Sequence, residues 1–406
     1  MGNNKQVRNA VMIGVLCSVS YLAVYIARNV LSAVTPQMID PVTGVTNEDY
    51  IGELSALYLA MYAVGQLING AIGDKIKAQY MISFGLFFAG VTNALFVFMP
   101  ASSTLAIAVY GMTGFFLSMI YGPMTKVVAE NTDPIHATRC SLGYTFSSFF
   151  GSPMAGLLAA WLTWQSVFFA SSAALVLMAA VCFTVFLIFE KKGIVKYGQY
   201  RIEKQSKRGS IGVLLRHRII KFSLISIITG VVRTSVVFWL PTYINQALGY
   251  TPEEAAGMFT VASLAISLSA FLAVFVYERL DRNMDLTILL MFVCSAAFFV
   301  AVYFVANPII NLVMMVLAII GSNAAASMLW SRYCPSLRDT GMVSGATGFL
   351  DFLSYMAAAA SNIVFANAAG SIGWSNLILV WAALVFVGVL VALPWNRMFR
   401  RAGYKW

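Results

Sequence analysis

Charge is scarce in this chain: 10% of its 406 residues are Asp, Glu, Lys or Arg, against 60% that are hydrophobic. A soluble domain carries about 25% charged residues, the polar skin that keeps it in water. A water-soluble fold is therefore excluded, and most of these side chains must be solvated by lipid. Histidine is scarcer still. His136 and His217 both lie in polar connections, with no nucleophile or set of metal ligands beside them. No enzyme, no metal site and no cofactor is expected. The five cysteines (Cys17, Cys140, Cys182, Cys294 and Cys334) are scattered, without a CxxC or a His/Cys cluster, which argues against a disulfide framework and against zinc. Long polar segments are also missing, with one exception at 190–217, which holds Lys191, Lys192, Lys196, Arg201, Lys204, Lys207 and Arg208.

What the chain has is apolar length. A bilayer core needs about 20 apolar residues of helix. Twelve stretches qualify: 9–35, 51–72, 80–99, 104–129, 138–162, 165–189, 218–247, 254–277, 286–305, 309–331, 340–368 and 373–394. Barrel strands would be short and alternating, and these are long and unbroken. The expected fold is an all-α membrane protein of twelve helices in two six-helix halves, 1–189 and 218–406, joined by the basic linker 190–217. Apart from Arg28, Lys126 and Arg233, which lie inside spans, the basic residues gather at the tails and on one side, whereas the opposite loops carry Asp40, Glu48, Asp49, Glu253 and Glu254. The positive-inside rule then places both termini in the cytoplasm. This bias accounts for the net charge of +10, so nucleic acid is not needed as a partner, and the run Lys191 to Lys221 reads as a loop near anionic lipid. The N-terminus, MGNNKQVRNA, precedes a span too long for a cleaved signal and reads as the start of a permanent helix. The expectation is a multi-pass monomer in a plasma membrane, such as a bacterial inner membrane.

The two halves stand in register. Arg28, Pro36, Thr46-Asn47-Glu48-Asp49 and Gly52 recur as Arg233, Pro241, Thr251-Pro252-Glu253-Glu254 and Gly257, every pair at the same offset. A span arginine, a helix-ending proline, a capping Thr followed by acids and a glycine repeat together, which marks an internal duplication. Thr138 and Gly143 likewise match Thr340 and Gly345. Gly143, Gly151 and Gly156, and in the other half Gly341, Gly345 and Gly348, let helices approach closely, for sliding or for static packing.

A charge inside a bilayer costs at least about 2.5–3.5 kcal/mol, so each one requires a reason. Arg28 and Arg233 hold equivalent places, and a pair of guanidiniums at a central cavity would be a fork-like receptor for a small anion. The alternative is that both snorkel to the interface. Tyr21, Tyr25 and Arg28 share one helix face, and Tyr58, Tyr62, Gln66 and Asn69 form a polar stripe on the second span, either lining a wet cavity or anchoring at the interface. Lys126 and Glu130 stand at i and i+4, a pairing that suits structure or gating better than binding. Two readings stand for Asp351, in the middle of the eleventh span: it balances an arginine, or it takes up a proton during transport. Acid–base turns follow the second span at Asp74, Lys75 and Lys77 and the eighth at Glu278, Arg279, Asp281 and Arg282, where they could latch helix ends on the cytoplasmic side.

The turn Gly70 to Lys77 resembles the G-x-L-x-D-R loop of the major facilitator superfamily, with Lys75 in place of Arg, and the resemblance covers the whole chain. Within that superfamily the pattern is similar to the organophosphate:phosphate antiporters. Arg28 with Tyr21 and Tyr25, Tyr62, the seventh-span spacing Arg233, Trp239, Pro241, Thr242 and Tyr243, and Gly114, Pro123 and Lys126 all fit it. The resemblance implies substrate contacts from Arg28, Arg233, Tyr21, Tyr25, Tyr62, Gln66, Trp239 and Ser147. Gln66 and Ser147 depart from it, since the glycerol-phosphate carriers have lysine and histidine there, which admits a monoanion. The segment Arg28 to Pro36 with Tyr62 to Gln66 also resembles the anion:cation symporters, which carry carboxylates. The expected function is alternating-access transport of a small organic anion, first a sugar phosphate or related organophosphate exchanged for phosphate, with the two arginines binding the anionic group. The coupling partner is a counter-anion such as phosphate, or a proton. The rival classes are a proton-coupled carboxylate or sulfonate symporter and a non-transporting membrane sensor.

Overall fold

The computed structural model describes residues 2–42, 44–73, 76–100, 103–197, 211–337 and 343–393. The first six long helices are α1 Gly2–Met38, α2 Glu48–Gly73, α3 Ala78–Val97, α4 Thr104–Asn131, α5 Pro134–Trp161 and α6 Trp164–Lys191. After a short helical turn at Ile211–Arg216 come α7 Ile219–Gln246, α8 Pro252–Arg279, α9 Met284–Phe304, α10 Pro308–Ser336, α11 Val343–Ser371 and α12 Gly373–Ala392. Among the described residues, 11 of these are long and apolar enough to cross a membrane, and α5 contributes a shorter apolar stretch, Phe149–Trp161. The chain is a multi-pass membrane protein. Side chains such as Phe84, Phe87 and Phe88 on α3, Leu177 on α6 and Phe386 on α12 stand exposed, which is tolerable only where lipid covers them.

The helices begin where local chemistry starts them. Asn283 and Asn307 cap α9 and α10, accepting from Leu286 N and from Ile309 and Ile310 N. A full capping box opens α8: Glu254 N donates to Thr251 Oγ1 and Thr251 N donates to Glu254 Oε2. At α2 the cap is Asn47, whose Oδ1 accepts from Tyr50 N at 3.0 Å, so the threonine expected in that role yields to its neighbour. The two register-equivalent prolines also behave differently from expectation. Pro36 and Pro241 lie inside their helices, which continue to Met38 and Gln246. A proline deletes only one N–H from the ladder, and helix neighbours in a membrane protein tolerate that.

The contacts divide the described residues into two compact units. One gathers Met1–Lys204 with Phe238–Leu264 and Ala359–Asn367; the other gathers Gln205–Val237, Ala265–Ala358 and Ala368–Trp406. Helix association in lipid lacks a hydrophobic drive and depends on close packing and on hydrogen bonds between helices. In the first unit the fully buried Asn93 ties α3 to α6, donating to Ser171 Oγ at 3.0 Å and Ser172 Oγ at 2.9 Å. Glycines set the spacing. A side chain at Gly114 would collide with the backbone of Tyr58, one at Gly151 with Tyr25, and one at Gly156 with Thr260 and Ala256 of α8. In the second unit Ser295 Oγ donates to Ala318 O at 2.6 Å beside Gly321, joining α9 to α10. The glycines Gly345 and Gly348 of α11 face open space, so neither repeats the packing role found on α5. Gly341 and Thr340 lie outside the described residues. All five cysteines are free thiols.

Candidate functional site

Arg28 sits among phenol rings. Its guanidinium carbon lies 4.7 Å from the ring centroid of Tyr62 and 5.6 Å from that of Tyr25, both within cation–π range. The helical spacing brings Tyr21 onto the same face, where its ring meets Tyr25 at 4.9 Å, Tyr121 at 5.5 Å and Tyr144 at 6.1 Å. Sequence reasoning missed Tyr121 and Tyr144, which come from α4 and α5 and share no spacing rule with α1. The polar stripe of α2 divides. Tyr62 turns to Arg28, while Tyr58 stacks on Tyr110 at 5.1 Å and Asn69 donates to Ser118 Oγ at 2.7 Å, both facing α4. Gln66, one turn beyond Tyr62, is half-buried, and Ser147 spends its hydroxyl proton on Gly143 O of its own helix.

Arg233 is held differently, and the cause is visible in the backbone. Residues Val231–Val236 form a π-helical turn within α7. Beside it runs α11, close enough for Ser226 Oγ to donate to Leu350 O at 2.8 Å and Ser235 Oγ to Ala358 O at 2.8 Å, with Gly230 pressed against Ser354 between them. Between those two bonds α7 advances nine residues while α11 advances eight. A π turn accommodates one extra residue, and Arg233 lies within it. Gly230 is what permits the approach, because any side chain there would strike Ser354.

The approach delivers Asp351. Its Oδ1 lies 3.9 Å from Arg233 Nη2, with the two side chains 25% and 34% exposed. Tyr355, one turn further along α11, and Trp330 of α10 complete the surroundings, their ring centroids 6.0 and 5.9 Å from the guanidinium carbon. Trp330 itself stands on a second π-helical turn, Leu329–Tyr333. Neither aromatic was singled out from the sequence. The i+4 step from Asp351 to Tyr355 could have flagged one of them; nothing in the pattern points to Trp330.

Trp239 is fully buried in the first unit, with no hydrogen-bond partner for its indole N–H. On α4 Glu130 is buried and Lys126 half-buried. Asp74 and Lys75 lie outside the described residues. Glu278 and Arg279 are exposed at the end of α8, with Arg279 over the Phe275 ring at 5.2 Å. An ion pair does form at the neighbouring turn: Lys77 Nζ donates to Glu190 Oε1 of α6 at 2.7 Å. That hydrogen bond holds the Lys77 ammonium above its ordinary pKa of 10.5. Tyr197 donates to Gln79 beside it, and burial, reinforced by the charges of Glu190 and Glu130, pushes its phenol upward. Among the described residues no group of three His, Cys, Asp or Glu side chains could hold a metal ion.

Residues 17–361 match the sequence profile of the Major Facilitator Superfamily. The chain belongs to that superfamily. It is 22% identical to the glycerol-3-phosphate transporter of Bacillus subtilis over 97% of its own length and 93% of the relative's. It is also 22% identical to the phosphoglycerate transporter protein of Salmonella typhimurium, over 87% of this chain and 82% of that one. A shorter match, 28% identical over 24% of this chain and 21% of the relative, is to the membrane sensor protein UhpC of the same organism. Among solved structures the nucleoside transporter NupG superposes with a TM-score of 0.73 at 12% identity, covering 94% of this chain and 98% of that one, a likeness of fold.

Proposed function

We propose that this protein is a secondary active transporter, not an enzyme, that moves a small organic anion by alternating access, an organophosphate before other classes and in exchange for phosphate. Its twelve spans form two six-helix halves, 1–189 and 218–406, with both termini in the cytoplasm. The observation that carries the reading is the pair of register-equivalent span arginines, each half-buried against aromatic rings. A guanidinium kept at such a depth is costly, and fork-like recognition of a phosphate or carboxylate explains the expense. Tyr25 and Tyr62 orient Arg28, and Trp330 and Tyr355 do the same for Arg233. Full-length similarity to a glycerol-3-phosphate transporter supports an organophosphate.

Asp351 favours a second reading, a carboxylate or sulfonate monoanion, since one of the two positive charges is already partly offset. The test is a counterflow screen in proteoliposomes with phosphate, glycerol 3-phosphate, phosphoglycerate, sulfonates and carboxylates. Acceleration by phosphorylated compounds alone supports the first reading, and acceleration by carboxylates or sulfonates alone replaces it with the second. Binding without flux for every anion would make the protein a sensor, the class named for one relative matched over a short stretch.

A further inference from the structure

We infer that Asp351 is a built-in counter-anion for Arg233, which the anionic group of the substrate must displace and which returns when the substrate leaves. The inference rests on the two-arginine reading above and concerns what happens to one of those arginines when no substrate is bound. Three independent features converge. The carboxylate and guanidinium are paired at 3.9 Å, whereas a charge-assisted hydrogen bond closes to about 2.7–2.9 Å. The pair therefore stands short of a direct charge-assisted hydrogen bond, and both partners keep part of their surface open. Next, the backbone is built to deliver them. Gly230 admits α11, and Arg233 lies within the π-helical turn Val231–Val236. Finally, Trp330 and Tyr355 offer π faces on the guanidinium, so the arginine keeps favourable contacts while its anion changes.

The physical consequence concerns turnover. A guanidinium in a low-dielectric site is strongly disfavoured unless an anion neutralises it. A carrier whose only anion is its substrate must change conformation loaded and so exchanges strictly. A carrier with its own carboxylate on the arginine can also return empty. Asp351 thus allows net uptake beside exchange, at the expense of competing with the substrate. If the internal pair occupies Arg233 about nine-tenths of the time, its removal tightens apparent anion affinity about tenfold.

The test compares wild type with Asp351→Asn and Asp351→Glu in two assays. In the first, the purified proteins are titrated with phosphate, glycerol 3-phosphate, sulfate and acetate, with thermal stabilisation as the readout. Asp351→Asn should bind its preferred anion about tenfold more tightly, and Asp351→Glu should bind as wild type does. In the second, that anion is followed in proteoliposomes. Asp351→Asn should retain exchange but lose net uptake into vesicles that contain no counter-anion. Equal affinity and equal net uptake in wild type and Asp351→Asn would overturn the inference and leave the two-arginine reading standing. Loss of both affinity and exchange in an Asp351→Asn protein that melts normally would also overturn it, by making the carboxylate part of the receptor. No stabilisation of any variant by any of the four anions removes the anion reading, and the inference with it.

Discussion

Arg28 and Arg233 occupy the same place in a duplicated sequence, yet their surroundings differ in kind. Around Arg28 the helix is regular α, and the rings of Tyr25 and Tyr62 lie against its guanidinium. Around Arg233 the helix is π, and a carboxylate stands beside two rings. The difference traces to one position: where the first copy has Tyr25, the second has Gly230. A tyrosine fills the space beside its arginine with its own ring and faces Gly151 across the contact, whereas a glycine leaves that space for a neighbouring helix and whatever side chains it carries. Duplication has preserved the charge while the means of holding it has diverged. The two regions should therefore respond differently to parallel substitutions.

The largest effect should come from removing the fork while keeping the charge. Arg28→Lys and Arg233→Lys should each lower counterflow by about 10- to 100-fold, the loss of a charge-assisted hydrogen bond worth about 1.5–3 kcal/mol, with unchanged melting. Uptake preserved in both variants would dismiss the two-arginine site. Next in size is the packing that distinguishes the second copy. Gly230→Val should destabilise the protein by about 1–3 kcal/mol in detergent melting, because the new side chain collides with Ser354. Gly345→Ala faces open space and should instead be neutral or stabilising by about 0.5–1 kcal/mol. If the two changes cost the same, the close approach of α7 and α11 is not what positions Asp351.

Much of the frame was legible without coordinates, because apolar length and charge exclusion are properties of the chain alone. The α1 face carrying Tyr21, Tyr25 and Arg28 followed from helical spacing, and the structure gathers those residues with Tyr62. The π turn was not legible. One inserted residue leaves the hydropathy of α7 unchanged and becomes detectable only when the bonds from Ser226 and Ser235 to α11 are counted against each other. Trp330 was hidden for a related reason: it reaches Arg233 across helices, where no sequence interval constrains it. Trp239 was assigned to the site by resemblance, and its full burial comes from helix packing that the resemblance does not encode.

A smaller test sharpens the aromatic side of the comparison. Tyr62→Leu removes the ring nearest Arg28, and Tyr355→Leu removes one of two rings near Arg233, at a longer distance. Cation–π contacts are worth about 0.5–2 kcal/mol, so Tyr62→Leu should weaken anion binding several-fold. Tyr355→Leu should do less, since Asp351 and Trp330 remain. Titration of both purified variants with the same anion measures the ratio, and a larger loss for Tyr355 would reverse the assignment of aromatic support to the first copy.

The smallest effect is expected at the turn between α2 and α3. Lys77 and Glu190 pair at 2.7 Å, but both are solvent-accessible, and exposed pairs contribute little. Because the bond raises the Lys77 pKa above 10.5, whatever the pair contributes is fully present below that value and is lost as pH climbs through the raised one. The melting difference between wild type and Lys77→Gln should therefore be small and flat from about pH 6 to about pH 9, far from the lysine titration range. A large difference would mean that this turn does more than tie two helix ends. In that case the Lys77–Glu190 pair would be the place to look for a latch.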